Sequence, residues 1–112
     1  MIEGMHLTPI GDGNVLLEPG EGLDPSDPDM LIVPILNVLQ QQQALRLVYD
    51  LKNVRLVDAV YYSWLTKLHS ACSVTNIEMV TVNMHPAAAY ALSLALSTPP
   101  PFRCVLDIHH LR

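Results

Sequence analysis

Charge is scarce in this sequence, and positive charge is the scarcest. Charged residues make up 15% of its 112 residues, and six basic residues stand against eleven acidic ones, for a formal net charge of −5. Proteins that bind nucleic acid need clustered lysines and arginines that displace counterions from the phosphate backbone. The basic residues here are scattered, so nucleic acid is excluded as an expected partner. They are Arg46, Lys52, Arg55, Lys67, Arg103 and Arg112.

Long apolar runs and a leader pattern are also missing. No stretch approaches the roughly 20 apolar residues that a membrane helix needs, and the N-terminus has no basic region followed by an apolar run. There are only two cysteines, Cys72 and Cys104. A disulfide between them stays open, but two thiols in a chain without a secretion signal fit a reducing compartment better. We therefore expect a cytoplasmic protein with no membrane insertion.

Motifs for common chemistry are not found either. The five histidines lack the His-x3-His or Cys-x2-Cys spacing of metal sites. There is no Gly-x-Ser-x-Gly turn for a nucleophilic serine and no glycine-rich phosphate loop. Asp50 is a candidate catalytic carboxylate, and Asp58 is the one acidic residue at a sensible position to pair with it. A catalytic pair needs two carboxylates in environments that set their pKa values apart, which the sequence does not indicate, so catalysis at Asp50 is not expected. We expect no enzyme activity, no catalytic residue, no cofactor and no metal.

What is present is an apolar chain of one-domain size. Half of its residues are hydrophobic, which is enough for a buried core, so we expect a single domain over residues 1–112. A Gly-Asp-Gly-Asn turn at residues 11–14 predicts a hairpin between two short strands. Strand and helix patterns then alternate, which predicts an α/β fold with a mixed, mostly parallel sheet of about five strands and helices packed on it. The predicted strands are residues 6–10, 15–18, 45–50, 77–82 and 102–106, and the later helices are 59–72 and 87–97.

Helix starts are indicated by capping residues. Asp27 followed by Pro28 predicts the start of the first helix, with Asp27 as N-cap, and Pro34 either kinks that helix or marks its true start. Asp58 is the natural N-cap of the second helix. Asp107 is a candidate cap for a short helical turn at the C-terminus.

The third helix belongs to a segment without charge. Residues 79–102 contain no Asp, Glu, Lys or Arg, whereas a helix on the outside of a sheet usually has a charged face. We favour self-association as the cover of its outer side. The alternative is that Tyr90, Ser93 and Ser97 are enough to solvate it.

Residues 47–58, Leu-Val-Tyr-Asp-Leu-Lys-Asn-Val-Arg-Leu-Val-Asp, resemble the signature of the STAS family (sulfate transporter and anti-sigma factor antagonist domains). That signature is a hydrophobic strand ending in Asp-Leu, about three residues, a Val, and an apolar pair before an Asp that starts a helix. Residues 82–87 are similar to the family's next strand, loop and Pro-started helix, and residues 105–108 to its last strand and closing helix. The specific part of the resemblance covers residues 45–86, and within the family the chain is most similar to the short stand-alone scaffold type of the stressosome.

The resemblance implies a non-enzymatic protein-binding module of the STAS-like fold. Its expected partners are a serine kinase or anti-sigma factor of the GHKL type, other STAS proteins, and further copies of itself. The family docks such partners at the start of the second helix, beside the loop before the third. The matching residues here are Asp58, Ala59, Val60, Tyr62 and Ser63, with Asn83, Met84 and His85 in the loop. An alternative within the family is small-ligand sensing, of a nucleotide or a lipid, or work as a transport accessory.

The chain departs from the family at its regulatory position. Where the family places a phosphorylatable Ser or Thr after the capping Asp, this chain has Ala59 and Val60. Ser63 lies more than one helical turn further on, and we expect its hydroxyl to face another way. We therefore predict a docking surface without the usual phosphorylation switch, because a charge of about −2 cannot be added there.

Tyr62 follows the polar side of the second helix, whereas Tyr61 follows the core side. An exposed aromatic side chain at a helix start is a candidate interface anchor. The alternative is a tyrosine ring that lies flat on its neighbours, and the sequence does not separate the two.

Overall fold

The computed structural model describes residues 2–111, and it orders the strands and helices along the chain as the pattern predicts. The strands are β1 (Met5–Gly11), β2 (Asn14–Pro19), β3 (Arg46–Asp50), β4 (Glu78–Val82) and β5 (Arg103–Val105). The helices are α1 (Asp29–Gln41), α2 (Ala59–Val74) and α3 (Pro86–Ala95), followed by a 3₁₀ turn at Ile108–His110.

The opening hairpin forms because its turn residues accept positive φ. Asp12 has φ 58° and Gly13 has φ 78°, the pair of positive values that a two-residue hairpin turn requires. Gly13 also lies too close to Leu45 for a side chain, since a Cβ there would lie 2.8 Å from Cγ of Leu45. The predicted hairpin is confirmed, and it sets β1 antiparallel to β2.

The five strands form one sheet in the order β1-β2-β3-β4-β5. The pairs after the hairpin are parallel, with Leu47 opposite Val15 and Met79 opposite Leu47 in register. Parallel neighbours need a crossover between them, and α1, α2 and α3 are these crossovers. The α/β fold with a mixed, mostly parallel five-stranded sheet is therefore confirmed.

The core has a larger and a smaller part, one on each side of the sheet. Strand side chains alternate between the two faces, so Leu47 and Tyr49 pack with the helices while Val48 packs on the opposite side. There the C-terminal segment covers the sheet, with Leu111 only 7% exposed. Burial on both faces explains why β3 and β4 are almost continuously apolar.

The C-terminal segment is held by arginines. The carbonyl oxygen of Leu111 accepts hydrogen bonds from Arg103 Nη2 at 3.1 Å and from Arg46 Nη1 at 3.4 Å. The helical turn predicted after Asp107 is present, but the Asp107 carboxylate bonds His110 Nδ1 at 2.6 Å instead of capping the backbone.

The predicted start of α1 was wrong by one position. Pro28 is the N-cap, and its carbonyl oxygen accepts from the backbone nitrogens of Leu31 and Ile32, both at 3.0 Å. Asp27 therefore lies outside the helix. Pro34 lies inside the helix rather than at its start.

Other ends also differ slightly from expectation, and α2 extends two residues further than predicted, to Val74. Helix α3 ends at Ala95, two residues early, because Leu96 is already extended with ψ 136°. Strand β5 has three residues, because the preceding Phe102 turns into the core on the helix side, where it is 3% exposed. The longest helix, α2, has 16 residues, and within residues 2–111 no helix has both the length and the apolar character to cross a membrane.

Candidate functional site

Asp58 caps the first turn of α2, as its sequence position predicts. Its backbone is extended, and Oδ1 accepts a hydrogen bond from the Tyr61 backbone nitrogen at 2.8 Å. Its carbonyl oxygen accepts from the Tyr62 nitrogen at 2.8 Å. These two bonds define where the helix begins, so Ala59 and Val60 form its first turn.

The first turn of α2 presents apolar side chains to solvent. Val60 is 49% exposed, and Leu56, two residues before the cap, is 64% exposed. Ala59 is exposed as well. Exposed apolar side chains that lie close together mark a candidate interaction site. We call the set Leu56, Asp58, Ala59 and Val60 the α2 surface.

Sequence reasoning missed Leu56. It precedes the helix, so the helical period that identified the other residues does not reach it. The usable signal was the apolar pair Leu56-Val57 directly before the cap. Val57 is buried at 7% exposed, and neighbouring residues of an extended segment point to opposite sides.

A groove runs from the α2 surface toward α3. It has a volume of about 520 Å³, and α2 contributes Asp58, Ala59, Tyr62 and Ser63 to its wall. The opposite wall comes from α3, whose contribution was not predicted. Its lining residues there are Ala91, Leu92, Ala95 and Leu96. Small alanines on α3 leave space between the two helices, and that space is the groove.

Tyr62 is half-buried rather than exposed. Its ring packs against Phe102, with ring centroids 6.1 Å apart at 48°. Burial raises the pKa of the Tyr62 hydroxyl, and the nearby Cys104 adds to the rise. Of the two arrangements left open by the sequence, the structure has the ring lying against its neighbours, where it contributes to the groove wall.

The loop before α3 is bound to the turn after β3. Asn83 has φ 61°, a value that asparagine tolerates better than most residues. Its side-chain nitrogen donates to Asp50 Oδ1 at 3.1 Å, and the same oxygen accepts from the Lys52 backbone nitrogen at 2.9 Å. His85 Nε2 lies 2.7 Å from the Lys52 carbonyl oxygen, so Nε2 is the donor. Asp50 therefore organises this loop.

The structure separates the eight predicted site residues into two groups. Asp58, Ala59, Tyr62 and Ser63 line the groove, with Val60 exposed beside it. Asn83 and His85 bond the turn after β3 instead. Met84 lines a second groove, of about 650 Å³, between α3 and β5. Leu92 and Leu96 of α3 line both grooves and connect the two groups.

Hydroxyls near the α2 surface lie further along the helix. Ser63 is exposed, and its carbonyl oxygen accepts from Thr66 Oγ1 at 2.9 Å. Ala59 and Val60, in the first turn, carry no hydroxyl. The expectation that the Ser63 hydroxyl faces another way is wrong, because Ser63 lies four residues after Ala59 on the same side of α2 and lines the same groove. Ser63 is the first serine or threonine of α2 after the cap.

Metal-binding and redox groups are dispersed. In the part of the chain that the structure describes, no three His, Cys, Asp or Glu side chains form a metal-binding cluster. Cys72 and Cys104 are both free thiols, the first buried and the second exposed. Burial raises the pKa of the Cys72 thiol to about 12, which makes it a poor nucleophile at neutral pH.

Comparison with solved structures shows which known proteins share this fold. No protein-family model matches the chain, and no curated protein sequence does. A single-substitution variant of RsbS from Moorella thermoacetica has a TM-score of 0.76 at 16% identity, covering 92% of this chain and 89% of its own. A chain of the stressosome, described as a signal integration and transduction hub, has a TM-score of 0.76 at 15% identity, with coverage of 93% and 90%.

A third solved structure is similar over the whole fold. A candidate anti-sigma factor antagonist from Thermotoga maritima has a TM-score of 0.70 at 14% identity, covering 96% of this chain and 90% of that one. At these identities the likeness concerns the fold. The chain therefore has the STAS-like fold of stressosome and anti-sigma-factor-antagonist structures, as its signature residues predict.

Proposed function

We propose that this chain is a non-enzymatic, cytoplasmic protein-binding module of the anti-sigma factor antagonist and stressosome scaffold type. It docks a serine kinase or anti-sigma factor of the GHKL type on the α2 surface, and it associates with other STAS proteins. The observation that carries the proposal is the exposed apolar first turn of α2, with Val60 at 49% and Leu56 at 64% exposed beside the Asp58 cap. The fold shared with stressosome and antagonist structures supports it.

The groove next to the α2 surface favours a protein over a small polar substrate as the binding partner. Its α3 wall is made of alanine and leucine side chains, which can receive an apolar side chain of a partner. The Asn83–His85 loop is connected to the docking groove by α3, because Leu92 and Leu96 line both this groove and the groove that Met84 lines. Its role is to hold the start of α3, and with it the far wall of the docking groove.

Replacing Val60 by aspartate is expected to weaken partner binding by at least tenfold, because a carboxylate would be desolvated in an apolar contact. The matched control is Val74→Asp, the same change at the other end of α2, where Val74 is 88% exposed. Each GHKL-type serine kinase and anti-sigma factor of the source organism, expressed alone, would be titrated by calorimetry. Equal affinity of both variants for a bound partner, or no binding by the wild type, would contradict the proposal.

The proposal also predicts that the kinase does not switch this protein off. Incubation with a bound serine kinase and ATP should add no phosphate by intact mass, because Ala59 and Val60 offer no hydroxyl. The Ala59→Ser variant restores one in the first turn and should be modified once, with loss of binding as the added charge enters the interface. Stoichiometric phosphate on Ser63 or Thr66 of the wild type would refute the absence of a switch.

A further inference from the structure

Helix α3 presents an apolar outer face that no described residue covers. Tyr90 is 68% exposed and Leu94 is 71% exposed, and residues four apart share one face of a helix. No charged residue occurs anywhere in residues 79–102. Surface helices normally oppose a charged face to their buried one, so this face has the composition of an interface.

A groove lies directly beside this ridge. It has a volume of about 650 Å³ and lies between α3 and the segment that follows it. Its apolar lining includes Leu92, Leu96 and Leu106, and Leu106 is 73% exposed at its rim. A ridge and a groove side by side on one surface are self-complementary under a twofold axis, which places the ridge of each copy against the groove of the other.

The same surface contains a sheet edge. Strand β5 is last in the sheet order and pairs with β4, and an open edge is a template for another strand. The other edge, β1, carries Pro9 and a register shift between Pro9 and Gly11. A proline and a bulge are among the devices that block edge pairing. Strand β5 contains neither, although it is only three residues long and begins with Arg103.

Charge favours a second copy of this chain as the occupant. The net charge is −5, and all eleven acidic residues lie outside residues 79–102. Two copies that meet through this surface bring no carboxylates together within it, whereas other surfaces would juxtapose like charges. The α3 ridge and the groove carry no charge, and the one charged residue of β5, Arg103, is basic, so a basic partner would gain no attraction from this surface.

We propose that two copies of this chain form a twofold dimer through the α3 ridge, the neighbouring groove and β5, with the two β5 strands antiparallel. This dimer surface is distinct from the α2 surface and does not depend on the proposed kinase docking. It leaves the start of α2 free on each copy, so the dimer presents two docking sites.

In the proposed dimer, the twofold axis passes through the middle of the three-residue strand β5, and this sets the register of the two β5 strands. A twofold axis through the middle of Arg103–Val105 sets Arg103 opposite Val105 of the second copy, and Cys104 opposite Cys104 of the second copy. Directly opposed residues of antiparallel strands have Cα atoms about 4.5–5.5 Å apart, within the range of about 4.4–6.8 Å that a disulfide spans. Cys104 is exposed, whereas Cys72 is buried, so the native thiols report on this register.

Cross-linking tests the register. Oxidation with diamide, which accepts the two electrons and two protons of a thiol pair, should join two chains through one Cys104–Cys104 disulfide, as peptide mapping would show. Cys104→Ser should lose the cross-link but keep the dimer mass in sedimentation equilibrium. A non-covalent dimer that diamide does not link through Cys104 would overturn the β5 pairing.

Sedimentation of point variants tests the surface. Leu106→Glu should weaken dimerisation at least tenfold, because it places a charge at the rim of the groove on both copies. Leu56→Glu is the matched control, since Leu56 is similarly exposed at 64% but belongs to the α2 surface. It should leave the dimer intact. Circular dichroism checks that both variants fold, and both replaced side chains are exposed.

The opposing outcomes are equally definite. A wild-type mass that stays monomeric up to millimolar concentration would overturn the dimer. So would a dimer that survives Leu106→Glu or is lost in Leu56→Glu. Because partner binding is measured separately with Val60→Asp, failure of the dimer and failure of the docking proposal are distinguishable.

Discussion

Replacing Tyr49 by phenylalanine is expected to lower the free energy of unfolding by about 1–3 kcal/mol, the usual cost of a buried polar group left without a partner. The Tyr49 side chain is fully buried, and its oxygen accepts from Trp64 Nε1 at 2.9 Å. An indole nitrogen only donates. The hydroxyl proton of Tyr49 is therefore free to be donated to the Tyr61 oxygen, 2.7 Å away.

The loss arises at the tryptophan. Trp64 is 0% exposed, so in the Tyr49→Phe variant its N–H has neither the tyrosine nor water to bond. Tyr61 is only half-buried, and water can replace its lost partner. Both Tyr61 and Trp64 belong to α2, so this bond chain also fixes the helix that carries the α2 surface to the sheet beneath it.

Urea unfolding followed by tryptophan fluorescence measures the effect. Tyr62→Phe is the matched control, because the Tyr62 ring packs against Phe102 and a hydroxyl at the protein surface contributes within about 0.5 kcal/mol. If Tyr49→Phe were as stable as Tyr62→Phe, the hydrogen-bond chain would have no part in stability.

Alkaline pH is expected to destabilise the fold steeply. Burial raises the pKa of the Cys72 thiol from 9.0 to about 12. Burial, with further help from Tyr61, raises the pKa of Tyr49 well above 10.0, and burial raises the pKa of Tyr61. In each case the folded chain keeps its proton to a higher pH than the unfolded chain does.

The sign follows from proton linkage. The stability from these groups is fully present below pH 9 and is lost as pH rises toward 12, because the unfolded chain binds fewer protons there. At about 1.36 kcal/mol per pH unit for one proton, Cys72 alone removes about 2–3 kcal/mol between pH 9 and pH 11.

Urea unfolding at a series of pH values measures this slope. Cys72→Ala should flatten it, whatever its effect on stability at pH 8. Cys104→Ala is the control with the same chemical change at the exposed cysteine, measured at a protein concentration low enough that the chain is monomeric. Identical slopes in all three proteins would show that the Cys72 thiol is not held protonated by the fold.

Much of the fold was predictable because its determinants are local. The turn at residues 11–14, the Asp58 cap and the apolar strand Arg46–Asp50 each rest on residues that are neighbours in the chain, and each is confirmed. The start of α1 was predicted one residue early, since Asp27 and Pro28 are both acceptable caps locally. Only the bonds from Leu31 and Ile32 to the Pro28 oxygen distinguish them.

The candidate site was predictable only in part. The position of the α2 surface followed from the STAS resemblance, and the exposure of Val60 agrees with a helix whose core side is defined by Trp64 and Leu68. The second wall of the groove did not follow. It depends on Ala91 and Ala95 of α3 packing beside α2, a contact between helices that the local pattern does not encode.

The sequence by itself determined that this chain folds as an alternating α/β protein, that Asp58 starts α2, and that neither of the two residues after the cap is a serine or threonine. These features depend on backbone geometry, capping and residue type, which act within a few residues. Only the tertiary structure decided that Tyr62 packs on Phe102, that Asn83 bonds Asp50, and that α3 exposes an uncharged ridge beside an open strand edge. The first two contacts join residues that are far apart in the chain, 33 positions in the case of Asn83 and Asp50. The third depends on which side of α3 the rest of the fold leaves uncovered. Neither is decided before the helices pack on the sheet.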